Sequence, residues 1–190
     1  MIGKPAGARR EGVWPDQRVC VFVDTQNVFH SALALHGRTV NFEVLLREVV
    51  AGRRLVRATA YVVERDGDSG SRPFQGKLSA LGYRVRRMTL RELTTDDQGR
   101  AIYSGNWDSG IIADMIRLSD QTDVLALVSG DGDFTEPLEA LMERGLRAEV
   151  WAFREHTARA LIDAVDTFTH LGEVEGVYMP LRRGAERVAN

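Results

Sequence analysis

Val124-Leu125-Ala126-Leu127-Val128-Ser129-Gly130-Asp131-Gly132-Asp133-Phe134 is a run of five apolar residues that ends in a glycine-rich turn carrying two carboxylates. An unbroken apolar run of this length reads as a strand buried on both faces, the usual state of a central parallel strand in an α/β sheet. Ligands of such sheets bind in the crevice at the carboxyl ends of the strands. A second stretch ends the same way: Val19-Cys20-Val21-Phe22-Val23 runs directly into Asp24-Thr25-Gln26-Asn27. Two buried strands that each deliver an aspartate to one sheet edge predict an acidic pocket. No Lys or His lies in either turn to neutralise it, so a divalent cation is the natural counter-charge.

Outward from these two strands, helical and extended patterns alternate. Val28 to Leu35 reads as a helix ended by Gly37, and Asn41 as the N-cap of a helix with Phe42, Leu45, Leu46 and Val49 on one face. Leu55 to Val63 reads as a strand. Ser71 and Pro73 open a helix to Leu81 with Gly82 as its cap, and Tyr83 to Leu90 alternates as a half-exposed strand does. The stretch Thr94 to Arg100 reads as a turn or flexible loop. Trp107-Asp108 leads into a helix bearing Ile111, Ile112, Met115 and Ile116. Beyond the quoted strand come a helix from Glu136 to Arg144 closed by Gly145, a strand Arg147 to Phe153 and a helix His156 to Val165. This alternation predicts a parallel sheet covered on both faces. Residues 1–16 read as a flexible N-terminal arm, 17–172 as one domain and 173–190 as a C-terminal extension or tail. The apolar segment Val174 to Leu181 is expected to add an edge strand or a homodimer contact.

The chain has 190 residues, 44% of them hydrophobic and 27% charged, which fits one soluble domain with a single well-filled core. No apolar stretch approaches a membrane span and no secretory signal core is present, so no membrane partner is expected. The one cysteine, Cys20, lies inside a buried strand. A disulfide framework is thereby excluded and a cytoplasmic location favoured. A net charge of −2 gives no global attraction to nucleic acid, although Lys4 and Lys77 are the only lysines among the 25 basic residues. Arginine suits bidentate phosphate contacts. A biased genomic base composition yields the same excess, so composition does not decide the partner.

Asp24, Asp131 and Asp133 come from strand ends, and Asp108 from the start of a helix that a right-handed crossover can bring beside them. Three or four carboxylates are typical of Mg²⁺ or Mn²⁺, and such sites support phosphoryl transfer by polarising a phosphoryl oxygen and lowering the pKa of a bound water. Asn27 is placed to orient Asp24 or a metal water. For any one aspartate a plain helix cap competes with this role, and Asp24 or Asp133 would suit the helix that follows each. The Asp-Gly-Asp spacing nevertheless supplies one carboxylate more than a cap needs. Asp114, six residues after Asp108, ranks as an outer-shell residue.

Val21-Phe22-Val23-Asp24-Thr25-Gln26-Asn27-Val28, Gly105-Asn106-Trp107-Asp108-Ser109-Gly110, Ser129-Gly130-Asp131-Gly132-Asp133-Phe134 and Leu161-Ile162-Asp163-Ala164-Val165-Asp166-Thr167-Phe168 resemble, in order, the motifs of the NYN domain, the LabA-like branch of the PIN-like nucleases. The likeness covers residues 17–172. It implies a three-layer α/β/α sandwich with a mostly parallel sheet, and a metal-dependent endoribonuclease acting on single-stranded RNA. It further implies that Asp24, Asp108 and Asp131 are the primary ligands of Mg²⁺ or Mn²⁺, that Asp133 completes the pocket and that Asn27 supports it. Two departures stand out. Asn106 and Trp107 precede Asp108 where many relatives have Lys and Gly, and Thr25 replaces a common glycine.

Two arginine groups, Arg84, Arg86, Arg87 and Arg91 and then Arg53, Arg54 and Arg57, would suit an RNA backbone or simply a solvated edge. Trp107 would stack on a base or be buried. His30, His36, His156 and His170 share no ligand spacing, and His156 reads as a helix start. The competing functions are a catalytically weak NYN module that binds RNA or protein as a regulator, and a haloacid-dehalogenase-type phosphatase. The latter is disfavoured because Gln26 stands where it needs a second aspartate.

Overall fold

Asp24 ends strand β1 (Arg18–Asp24) and caps the helix that begins at the next residue, α1 (Thr25–His36), by accepting the Asn27 N–H at 3.1 Å. No loop intervenes, which fixes the direction of the strand-to-helix turn. The computed structural model describes residues 12–64, 72–95, 101–104 and 106–180. The expectations for residues 1–11, Ser71, 96–100 and 181–190 lie outside them. Gly37, with φ of 58°, closes α1, and β2 (Arg38–Val40) leads to α2 (Phe42–Val50), capped by Asn41 through the Glu43 and Val44 N–H groups.

The chain continues through β3 (Arg54–Glu64), α3 (Arg72–Ala80), β4 (Arg84–Thr89) and a hairpin of β5 (Arg91–Thr95) and β6 (Ala101–Ser104). Then follow α4 (Asp108–Leu118), β7 (Val124–Val128), α5 (Thr135–Met142), β8 (Arg147–Ala152), α6 (Arg159–Ala164), β9 (Thr167–His170) and β10 (Tyr178–Pro180). Six strands form one sheet in the order β4-β3-β1-β7-β8-β9, every pairing parallel. Three layers result. On one face α1, α2 and α3 pack Val28, Ala32, Leu45, Val49 and Leu78 against Val19, Val21, Val23 and Trp151. On the other, Ile111, Met115, Leu138 and Leu161 of α4, α5 and α6 cover Cys20, Phe22, Leu125 and Leu127.

Val19 to Val23 and Val124 to Val128 are wholly buried, as an apolar run central in a parallel sheet should be. From β1 the chain builds outward to β3 and β4 on one side and to β7, β8 and β9 on the other. The order therefore reverses between β1 and β7, and Asp24 and Asp131 lie at that switch point.

Several short elements differ from the sequence expectation. Thr94 and Thr95 belong to β5 rather than to a loop. His156 ends a 3₁₀ turn of Arg154–His156, and the helix begins only at Arg159. Tyr178–Pro180 pairs antiparallel with β2, as Tyr178↔Val40 and Pro180↔Arg38, and so does not extend the main sheet. Both strands have five residues or fewer, too short to show a periodicity, and β10 owes its form to a partner far away in the chain.

Candidate metal centre

The turn after β7 is tied to the turn after β1 by side chains of both. Ser129 Oγ donates to Asp24 Oδ2 at 3.4 Å, and the Gly130 N–H donates to Asn27 Oδ1 at 3.0 Å. Asn27 therefore latches the two strand ends through its side chain, while only its backbone N–H reaches Asp24. That refines its expected part as an orienter of Asp24. Asp131 Oδ1 accepts the Asp133 N–H at 3.0 Å, so Asp131, not Asp133, caps the 3₁₀ turn Gly132–Phe134. Gly130 cannot carry a side chain here. A Cβ would meet the His156 carbonyl oxygen at 2.4 Å, and Gly130 O accepts the Ala158 N–H at 3.0 Å.

Asp108, the first residue of α4, enters from the next layer. One carboxylate oxygen each of Asp108, Asp131 and Asp133 lie within 4.8 Å of one another, on side chains that are half-buried or exposed. Asp24 stands outside this closest group but within electrostatic reach of it. Desolvation pushes the Asp108 carboxyl up to about 6, with the charges of Asp131, Asp24 and Asp133 adding to the effect. Burial likewise raises Asp24, helped by Asp131 and opposed by the Asn27 and Gln26 N–H groups and Ser129. Among the described residues none of the Arg–carboxylate ion pairs involves these four aspartates. A set of oxygen donors with unbalanced negative charge is suited to hold a metal ion.

Asp114 does not join the cluster. It is 4% exposed and accepts from Tyr61 Oη at 2.8 Å, Arg86 Nη1 at 2.6 Å and Arg117 Nη2 at 2.5 Å. Arg86 is thereby committed to a carboxylate. Arg53 is also withdrawn from any RNA, being buried and paired with Glu149 at 2.8 Å. Arg54 begins β3, seven residues before Tyr61, the partner of Asp24, and so lies roughly 23 Å from the acidic edge. Arg84 and Arg87 remain exposed on β4. Trp107 is buried, its Nε1–H donating to Val62 O at 3.0 Å, so it presents no face for base stacking. Sequence reasoning passed over Ser129 and Asn106, whose Nδ2 donates to Asp108 Oδ2. Each lies two residues before an aspartate of the cluster, which was the available signal.

The profile of the NYN domain matches residues 18–172. The low amplitude and bright protein LabA of Synechococcus elongatus is 30% identical over 164 residues, spanning 83% of this chain and 85% of that protein. A crystal structure of VPA0982, a protein of unknown function from Vibrio parahaemolyticus, superposes with a TM-score of 0.74 at 25% identity, over 87% of this chain and 98% of that one. An acidic cluster on the fold of this PIN-like nuclease family fits a metal-dependent nuclease. No helix among the described residues is long and apolar enough to cross a membrane. Sequence match and shared architecture lead to one conclusion: the chain belongs to the NYN domain family, in its LabA-like branch.

Proposed function

We propose that this protein is a metal-dependent endoribonuclease that cleaves single-stranded RNA with Mg²⁺ or Mn²⁺. The convergence of Asp108, Asp131 and Asp133 beside Asp24 at the switch point carries the reading. Asp108, Asp131 and Asp133 would hold the cation, and Asp24 would complete the negative field from β1. Asn27 and Ser129 keep the two turns in register, so the donors are preorganised before substrate arrives. When bound, the cation supplies Lewis-acid polarisation of a phosphoryl oxygen and eases deprotonation of water. None of the ion pairs among the described residues engages these four aspartates, so their charge is left for a cation to offset.

The test is incubation of labelled single-stranded RNA with purified protein and Mn²⁺, alongside Asp24→Asn and Asp131→Asn. Cleavage by the wild type, reduced at least about 100-fold in both variants, is the expected result. RNA bound tightly but left intact by all three proteins would replace the nuclease with a regulatory module. Activity on a small phosphomonoester and none on RNA would indicate a phosphatase.

A further inference from the structure

The first turn of α4 carries Asp108 but has no side-chain cap of its own. Trp107 holds it instead. The indole N–H bonds to Val62 O on β3, the ring centroid lies 5.4 Å from that of Tyr61, and the Arg86 guanidinium of β4 sits 4.8 Å from the ring centre. The indole also covers the beginning of its own helix, since a Cβ on Gly110 would come within 2.5 Å of Trp107 Cε3. Two of these contacts lead back to α4. Tyr61 and Arg86 each donate to Asp114, six residues beyond Asp108. The chain of contacts is thus closed: Trp107 to Tyr61 and Arg86, these to Asp114, and Asp114 to Trp107 through one helix.

We propose that Trp107, Arg86 and Asp114 form a brace that positions Asp108 for divalent-cation binding. They are positioning residues and touch no ligand. The inference rests on the metal-dependent reading above. Its physical need is plain: carboxylate oxygens of Asp108, Asp131 and Asp133 lie within 4.8 Å of one another, and the end of α4 that carries Asp108 has no side-chain cap to hold it there. A site binds a cation tightly only when its carboxylates are held near their bound positions, within about 0.5 Å, before the cation arrives. The Arg86 guanidinium over an aromatic face, hydrogen-bonded to a buried carboxylate, is a rigid anchor of the kind required.

The experiment measures Mn²⁺ binding to the full chain by electron paramagnetic resonance of free Mn²⁺, with far-UV circular dichroism as the check on folding. Trp107→Ala and Arg86→Met are expected to weaken Mn²⁺ binding about tenfold or more, while Trp107→Phe, which keeps a ring against Tyr61 and Arg86, stays within about threefold of wild type. Arg86 is one-third exposed at its side chain, so its variant keeps the test open should Trp107→Ala fail to fold. Folded Trp107→Ala or Arg86→Met with wild-type Mn²⁺ affinity overturns the brace and leaves the metal site standing. A wild type that binds no Mn²⁺, indistinguishable from Asp131→Asn, overturns the metal reading and the brace with it.

Discussion

A buried carboxylate is costly unless its charge is matched, and Asp114 has three donors to match it. Burial alone would raise its carboxyl. Arg86, Tyr61 and Arg117 outweigh that effect and hold it below the ordinary aspartate value. The unfolded chain binds the proton more readily than the folded one. The stabilisation is therefore present above about pH 4 and is lost as pH falls through the lower folded value. Urea unfolding between pH 5 and pH 2.5 is expected to show a steeper acid loss for wild type than for Asp114→Asn. Equal slopes would mean that the Arg86 link contributes nothing. Residue type and spacing made Asp114 resemble an outer-shell ligand. Arg117 is a neighbour on the same helix, but the other two partners, on β3 and β4, stand 53 and 28 residues away along the chain and leave no mark near position 114.

Helix α2 is joined to the sheet by an element-scale device of the same kind. Arg53, just beyond the helix, donates to Val50 O and Val49 O and forks onto both oxygens of Glu149 in β8, at 2.8 and 2.9 Å. Both side chains are almost wholly buried. One guanidinium therefore satisfies helix-end carbonyls and a buried carboxylate together. Glu149→Ala leaves that guanidinium buried without its carboxylate and is expected to lower unfolding stability by about 3–5 kcal/mol in chemical denaturation. A loss below about 1 kcal/mol would show the pair to be replaceable. In the sequence Arg53 belongs to a basic trio that suits a phosphate backbone. Burial reverses that reading, because a charge already spent on Glu149 is not available to solvent or RNA. The long helices and the two apolar strands were legible from periodicity. The hairpin of β5 and β6 and the pairing of β10 with β2 were not, because so few residues carry no periodicity of their own.

For the whole molecule, the like charges of four aspartates repel one another at the C-terminal edge of its sheet. Asp108 with its carboxyl raised to about 6 disfavours the folded state as pH rises through that value, the reverse of Asp114. A cation that binds only the folded chain offsets this and stabilises by mass action, about 2.7 kcal/mol at 100 times its Kd. Thermal melts at pH 7 are expected to rise with Mn²⁺ and to return with chelator, and the gain is expected to shrink below about pH 6 as Asp108 takes up a proton. A Tm indifferent to Mn²⁺ at pH 7 would count against the site.

The linear order of residues determined that there would be a parallel sheet, that two of its strands would be buried on both faces, and that aspartates would close them. Those outcomes depend on local hydrophobic patterning and on turn chemistry between neighbours. Only the tertiary structure decided which acids stand together. It grouped Asp108 with Asp131 and Asp133, left Asp24 adjacent, and drew Asp114 and Arg53 into buried pairs. Whether a charge faces a cation, a guanidinium or water depends on which distant segments the crossovers bring against it, and that is a property of packing in three dimensions.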